Sequence, residues 1–170
     1  DSCTDIVSAY QVDVTFNSWG GKFLPFADDA LLAGRWAGLR GEPVVDEAMV
    51  LEGGAVSVDG AGTVLTTEQC LLHPNRNPDL DRAEIETGLH RVLGTTRTIW
   101  LPFGLALDDD TDGHVDNCAA FVAPATVLAQ GCADEDEEDH SRMTANLTVL
   151  ATATDASERP VTTVEVPVLP

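Results

Sequence analysis

Along this chain the spacing of apolar residues changes several times, and each change marks an element. Between Asp28 and Gly41, Leu31, Leu32, Trp36 and Leu39 recur at helical spacing, and Gly41 followed by Pro43 supplies a stop, which predicts a short amphipathic helix. Apolar runs at 44–51 and 55–58, the turn Asp59-Gly60-Ala61-Gly62 and the β-rich Thr63-Val64-Leu65-Thr66-Thr67 together read as a hairpin. Asn77-Pro78 or Asp81, the latter with Glu84 three residues on as a capping-box pattern, opens a second helix whose inner face is Ile85, Leu89 and Val92 and which Gly94 closes. Thr98 to Leu101 is a strand ended by Pro102, and Val115 to Val122 is read as another. Met143, Leu147 and Leu150 share one face of a third helix, and Thr162 to Val168 forms a last strand. The order is helix, two or three strands, helix, two strands, helix, strand. It predicts an α/β or α+β fold in a single domain over residues 1–170, with no internal linker.

Composition narrows the function. The 170 residues suffice for one ordinary core, and 29 acidic against 9 basic residues give a formal net charge of −20. A surface that negative repels duplex DNA and anionic membranes, so neither is an expected partner. Only one of the basic residues, Lys22, is a lysine, a bias resembling that of proteins from salt-loving microbes, in which molar salt screens the repulsion. Cys3, Cys70, Cys118 and Cys132 contain no CxxC pair and no histidine spacing that would assemble a zinc site, so reduced, mostly buried thiols are expected. No signal peptide or membrane-length apolar run is visible, and the expected compartment is the cytoplasm. The start at Asp1 and the stop on Val166-Pro167-Val168-Leu169-Pro170 suggest a fragment.

The chemistry concentrates in two short segments. In Thr111-Asp112-Gly113-His114-Val115-Asp116-Asn117, a histidine and an aspartate stand two apart; in an extended segment they would share a face, setting a proton-transfer group beside a fixed negative charge. Such a pair suits a cationic substrate that exchanges protons. In Val50-Leu51-Glu52-Gly53-Gly54, a carboxylate ends an apolar run and two glycines then let backbone or ligand come close. Glu52, His114 and Asp116 are therefore the candidate site residues. His73, His90 and His140 lack such context and read as surface or packing residues. Asp108-x-Asp110-x-Asp112-Gly113 imitates the first half of a calcium loop, but the twelfth position is Ala119, not glutamate, so a solvated acidic loop is the better reading.

These segments, with Phe16-Asn17-Ser18-Trp19-Gly20-Gly21-Lys22, Thr67-Glu68-Gln69-Cys70-Leu71-Leu72, Asn75-Arg76-Asn77-Pro78 and Ile99-Trp100-Leu101-Pro102, resemble in order six blocks of agmatine deiminases and the related bacterial-type peptidylarginine deiminases. The resemblance implies a five-bladed propeller of ββαβ units, of which two to three blades would be present, in one incomplete deiminase domain. It implies hydrolysis of the guanidinium of agmatine to N-carbamoylputrescine and ammonia on the route to putrescine, with no cofactor and no metal, and a possible homo-oligomer. In that family a cysteine thiolate attacks the guanidinium carbon. Carried over by motif, Glu52 and Asp116 would grip the guanidinium nitrogens and His114 would move protons to the leaving ammonia and from the attacking water.

Two departures from the family's pattern bear on activity. The family's Gly-rich block with the nucleophilic cysteine does not appear in these 170 residues, and a further substrate-binding aspartate has at most a remnant in Asp1-Ser2-Cys3. The chain is thus expected to hold half a site and to be inactive alone. Cys118, two beyond Asp116, is read as a small apolar filler and not a substitute nucleophile. Asn75-Arg76-Asn77-Pro78 is read as a turn launching the second helix, without chemistry of its own. The alternatives are a non-catalytic family member that binds a guanidine or a partner chain, and a peptidylarginine deiminase.

Overall fold

The computed structural model describes residues 11–167. The Asp1-Ser2-Cys3 segment and Val168, the end of the predicted last strand, lie outside the described residues.

The strands fall into three small sheets that repeat one theme. In the first, β1 (Gln11–Thr15) leads through the helix α1 (Leu32–Arg40) to β2 (Val44–Val50), which lies parallel to β1. In the second, β3 (Val56–Val58) and β4 (Thr63–Thr67) form an antiparallel hairpin, and the chain passes through α2 (Arg82–Leu93) to β5 (Arg97–Leu101), parallel to β4. In the third, β6 (Ala119–Ala123) and β7 (Thr126–Gly131) are antiparallel, and α3 (Glu138–Leu150) leads to β8 (Thr162–Pro167), parallel to β7. Two complete ββαβ units and one partial unit are therefore present, in line with the two to three blades that the resemblance implies. The strand Val44–Val50 joins the first sheet instead of extending the hairpin, and β7 adds a strand to the predicted order.

Local signals explain the helices. The Asp81 carboxylate accepts from the Glu84 N–H at 2.9 Å while the Glu84 carboxylate accepts from the Asp81 N–H at 2.8 Å, so the capping box is complete at the start of α2. Ile85, Leu89 and Val92 are buried, and Gly94 ends the helix at φ 66°, a left-handed turn that favours glycine. In α3, Met143 and Leu150 are buried, and the acidic residues Glu138 and Asp139 occupy the first turn, where the helix dipole favours them.

The middle sheet is the centre of the molecule. Every residue of β4 is buried, and the strand alternation sends Val64 and Trp100 to one side and Leu65, Ile99 and Leu101 to the other. The first side packs with Ile85 and Leu89 of α2 and Met49 of β2; the second packs with Met143 and Leu150 of α3 and with Val127 and Ala129 of β7. The helices α2 and α3 thus fill the spaces between neighbouring units.

The helix α1 departs from its sequence reading. Of its residues only Ala37 is buried, while Leu32 is 67% exposed and Leu39 83% exposed. Its apolar face does not enter a core; Leu32 and Trp36 line a cleft.

Candidate active site

That cleft has a volume of about 720 Å³ and opens where β1, α1, the 51–54 segment and the 114–116 segment meet. Phe16, Trp19, Leu32 and Trp36 give it apolar walls; Glu52, His114 and Asp116 stand at one end, and Asp13 and Asp29 also line it. The three side chains singled out in the sequence therefore converge. His114 Nε2 lies 3.5 Å from Glu52 Oε2, and His114 Nδ1 lies 3.9 Å from Asp116 Oδ1.

They converge by a different route from the one the spacing predicts. The 111–117 segment is not extended: Asp112 and Gly113 take left-handed φ values of 59° and 93°, and Val115–Asn117 forms a 3-10 turn before β6 begins. The cause is Asp108. Its carboxylate accepts from the N–H groups of Thr111, Gly113 and His114, from the Thr111 hydroxyl and from the Asn117 amide, which coils the acidic stretch around one side chain. Burial raises the Asp108 pKa, but those bonds outweigh it and hold the carboxyl below its usual range. The carboxylate is thus committed to the loop's own donors, and that of Asp112 is hydrogen-bonded as well. The loop is further pinned by the Thr67 hydroxyl, which donates to the Gly113 carbonyl at 2.5 Å.

Glu52 is 6% exposed and sits at the end of the apolar run that leaves β2. What holds a carboxylate there is Arg76, whose side chain is fully buried. Its Nε donates to Glu52 Oε1 at 2.7 Å, Nη1 to Asp112 Oδ2 at 2.8 Å and to Asn75 Oδ1 at 2.7 Å, and Nη2 to the Thr111 carbonyl at 2.9 Å. One guanidinium thus ties the Glu52 segment to the loop that presents His114. Asp112 also pairs with Lys22 at 2.6 Å; burial raises its pKa, but the bonds from Lys22, Asn75 and Arg76 outweigh that and hold it down at about 2.

The Asn75-Arg76-Asn77-Pro78 turn therefore carries chemistry that its reading as a helix-launching turn omits. Asn77 does close backbone bonds, with the Val50 N–H and carbonyl at 2.8 and 3.0 Å. The available signal for Arg76 was chemical: an arginine between two turn-forming asparagines does nothing for the turn itself. Asn17 Nδ2 joins the same turn to the Trp19 segment by donating to the Asn75 carbonyl at 2.8 Å. There Ser18 and Trp19 sit at φ 57° and 53°, backbone strain at the cleft wall. Gly20, at φ 84°, is required because a Cβ would lie 2.2 Å from Asn75 Nδ2 and 2.8 Å from Arg76 Nη1.

Among the described cysteines all are free thiols. Cys118 packs in the core with Val115 and Ala119, and its thiol is pushed up to about 12, first by burial and then by the Asp116 charge. It is a filler, as its sequence context suggests. Cys70 is fully buried, and burial followed by the Glu52 charge pushes it up to about 12 as well. Neither is an available thiolate. The other histidines have structural partners: His90 Nε2 lies 3.0 Å from the Thr98 hydroxyl, His140 Nδ1 lies 2.8 Å from the Cys132 carbonyl, and His73 Nδ1 accepts from the Asn75 N–H at 3.3 Å. Among the described residues no helix is long and apolar enough to cross a membrane.

The model of the Porphyromonas-type peptidyl-arginine deiminase family matches residues 1–170. Agmatine deiminase of Medicago truncatula is 42% identical over 152 residues, covering 87% of this chain and 41% of that protein. Agmatine deiminase of Pseudomonas fluorescens is 42% identical over 162 residues, covering 92% of this chain and 44% of that protein. The solved agmatine deiminase of Enterococcus faecalis superposes with a TM-score of 0.87 at 35% identity, over 93% of this chain and 44% of that one. The chain thus spans less than half the length of each.

Proposed function

The chain belongs to the Porphyromonas-type peptidyl-arginine deiminase family, and from that premise we propose that it carries the guanidinium-gripping and proton-transfer half of an agmatine deiminase site. The reaction is R–NH–C(NH2)2+ plus water giving R–NH–CO–NH2 and ammonium, a hydrolysis of a C–N bond. A planar cation with N–H donors is matched by carboxylates; Glu52 and Asp116 accept those donors. His114 between them passes a proton to the departing ammonia and takes one from the incoming water. The observation that carries this reading is the wall where Glu52, His114 and Asp116 meet, with Arg76 engaging only Glu52 Oε1 and leaving Oε2 to face His114.

Agmatine fits the rest of the cleft. Its methylene tail suits walls of Phe16, Trp19, Leu32 and Trp36, and its distal ammonium suits Asp13 or Asp29. The thiolate that the covalent mechanism needs is supplied by none of Cys70, Cys118 and Cys132: the first two are buried with raised pKa values, and none of the three lines the cleft. Loss of the nucleophile in a comparable covalent hydrolase costs roughly a million-fold. The 170 residues alone are therefore expected to bind agmatine without turning it over. That same observation favours a second reading, a non-catalytic guanidine-binding chain.

Calorimetric titration with agmatine, arginine and an arginyl peptide tests the binding, and release of ammonia and ureido product, with and without an extension carrying the family's cysteine block, tests the chemistry. Preference for agmatine, with turnover only in the extended form, supports the reading. Turnover by the short chain that Cys118→Ser or Cys70→Ser abolishes overturns its division of labour, and preference for the peptide shifts the substrate.

A further inference from the structure

Behind the cleft wall lies a set of donors that guanidine chemistry leaves partly unused. Glu52, Cys70 and His114 each present one ligating atom, the three atoms lie within 4.8 Å of one another, and all three residues are buried. They come from three separate segments: Glu52 follows β2, Cys70 sits in the helical turn Glu68–Leu71 after β4, and His114 precedes the 3-10 turn. No sequence spacing announces the cluster, which is why the cysteine pattern gives no sign of a zinc site.

Two of the three ligating atoms have no hydrogen-bond partner within the protein. Glu52 Oε2 and His114 Nε2 are buried without a hydrogen-bond partner, an arrangement that native proteins avoid unless something pairs with the atoms. Their 3.5 Å separation is long for a hydrogen bond yet close to the roughly 3.4 Å between two ligands of a tetrahedral ion with bonds of about 2.0–2.1 Å. Arg76 holds the other oxygen of the same carboxylate, the kind of outer contact that orients a metal ligand.

We propose that Glu52 Oε2, His114 Nε2 and Cys70 Sγ bind a thiophilic divalent cation such as Zn2+, and that the bound ion excludes a guanidinium from the cleft. Sulfur and imidazole donors select zinc or cobalt over magnesium or calcium. On binding, the Cys70 S–H bond breaks, the proton leaves to solvent and the sulfur electron pair forms the metal bond, so one proton is released per ion. The fourth position faces the cleft and takes water. Glu52, Asp116 and the new thiolate offset the ion's charge beside Arg76. Metal binding stands independently of the deiminase reading; the exclusion clause rests on it.

The test is a titration of the reduced chain with Co2+, whose thiolate complex shows a sulfur-to-cobalt charge-transfer absorption in the near ultraviolet. The expected result is one equivalent bound, the band present in wild type, Cys118→Ala and Cys132→Ala, lost in Cys70→Ala and bleached by Zn2+. No band in wild type, or a band retained in Cys70→Ala, overturns the site. Because Cys70→Ala removes a core atom, Glu52→Gln provides a second arm: it keeps the volume and is expected to weaken Co2+ at least tenfold, and an unchanged affinity overturns the site. Agmatine is then titrated into the metal-free and the Zn2+-loaded chain. Binding only to the metal-free form supports exclusion, and equal binding to both overturns it. Binding to neither form overturns the guanidine reading together with the exclusion clause, while the cobalt signal still decides the metal site.

Discussion

Arg76 and Glu52 form a buried ion pair at 2.7 Å, with the arginine side chain fully inaccessible and the glutamate side chain 5% exposed. Such a pair is expensive to break from one side, because the survivor keeps its desolvation cost without its partner. Arg76→Met is expected to destabilise the chain by about 3–5 kcal/mol, leaving the buried Glu52 without a cation while Asp112 keeps only Lys22. Arg76→Lys recovers only part of that, since an ammonium cannot span Glu52, Asp112 and the Thr111 carbonyl at once. Urea denaturation of the two variants checks both values, and a loss under 1 kcal/mol for Arg76→Met would show that Arg76 does not brace the site.

Asp112 gives the fold an acid sensitivity of known sign. Its folded pKa of about 2 is below the ordinary 3.8, so its pairing contributes stability that is fully present above pH 3.8 and is lost as the pH falls toward 2. Asp112→Asn should therefore be less stable than wild type at pH 6, and the gap should close between pH 4 and pH 2. A gap independent of pH would mean that the carboxylate's charge is irrelevant there.

Charge sets the response to salt. At −20 over 170 residues the folded chain repels itself, and screening at molar ionic strength reduces that repulsion. The melting temperature is expected to climb from dilute buffer into molar KCl. A flat or falling curve would remove the basis for reading the composition as a salt adaptation.

The buried thiols should be slow nucleophiles. With pKa values near 12, Cys70 and Cys118 hold roughly one thiolate in ten thousand at pH 8, whereas Cys132 is only half-buried. Peptide mass spectrometry after timed iodoacetamide treatment should show Cys132 alkylated well ahead of the other two. Early modification of Cys70 would mean that the cleft wall opens.

How much of this was legible in the chain depends on whether the cause was local. The helix α2 was legible because its capping box and its 3.6-residue period lie within the segment itself, and the structure selects Asp81 over Asn77-Pro78 as its start. The helix α1 was legible as a helix, but not in its orientation: Leu32 and Trp36 face a cleft whose far wall is built from residues 51–54 and 114–116. The strand predicted from Val115 fails at its start because Asp108 collects five donors, and a two-residue period says nothing about such a hub. Glu52, His114 and Asp116 could be picked out of the sequence as candidates, and the structure brings them to one cleft. The contacts of Arg76 were not legible, since they arise only where separate segments meet.

Gly54 offers the sharpest test of the site's geometry. A Cβ placed there would lie 2.5 Å from His114 Nδ1 and 2.6 Å from Asp116 Oδ2, whereas a Cβ on Gly53 would meet nothing within 4 Å. Neither glycine has a positive φ, so alanine is conformationally allowed at both and the two substitutions differ chiefly in that clash. Because His114 is held at its N–H by Asp108, the side chains of His114 and Asp116 must swing aside in Gly54→Ala, separating them from Glu52 Oε2. Agmatine affinity measured by calorimetry should then fall by at least a hundredfold in Gly54→Ala, with a melting temperature close to wild type, while Gly53→Ala binds within a few-fold of wild type. Equal affinity in both variants would mean that the guanidinium does not sit against His114 and Asp116.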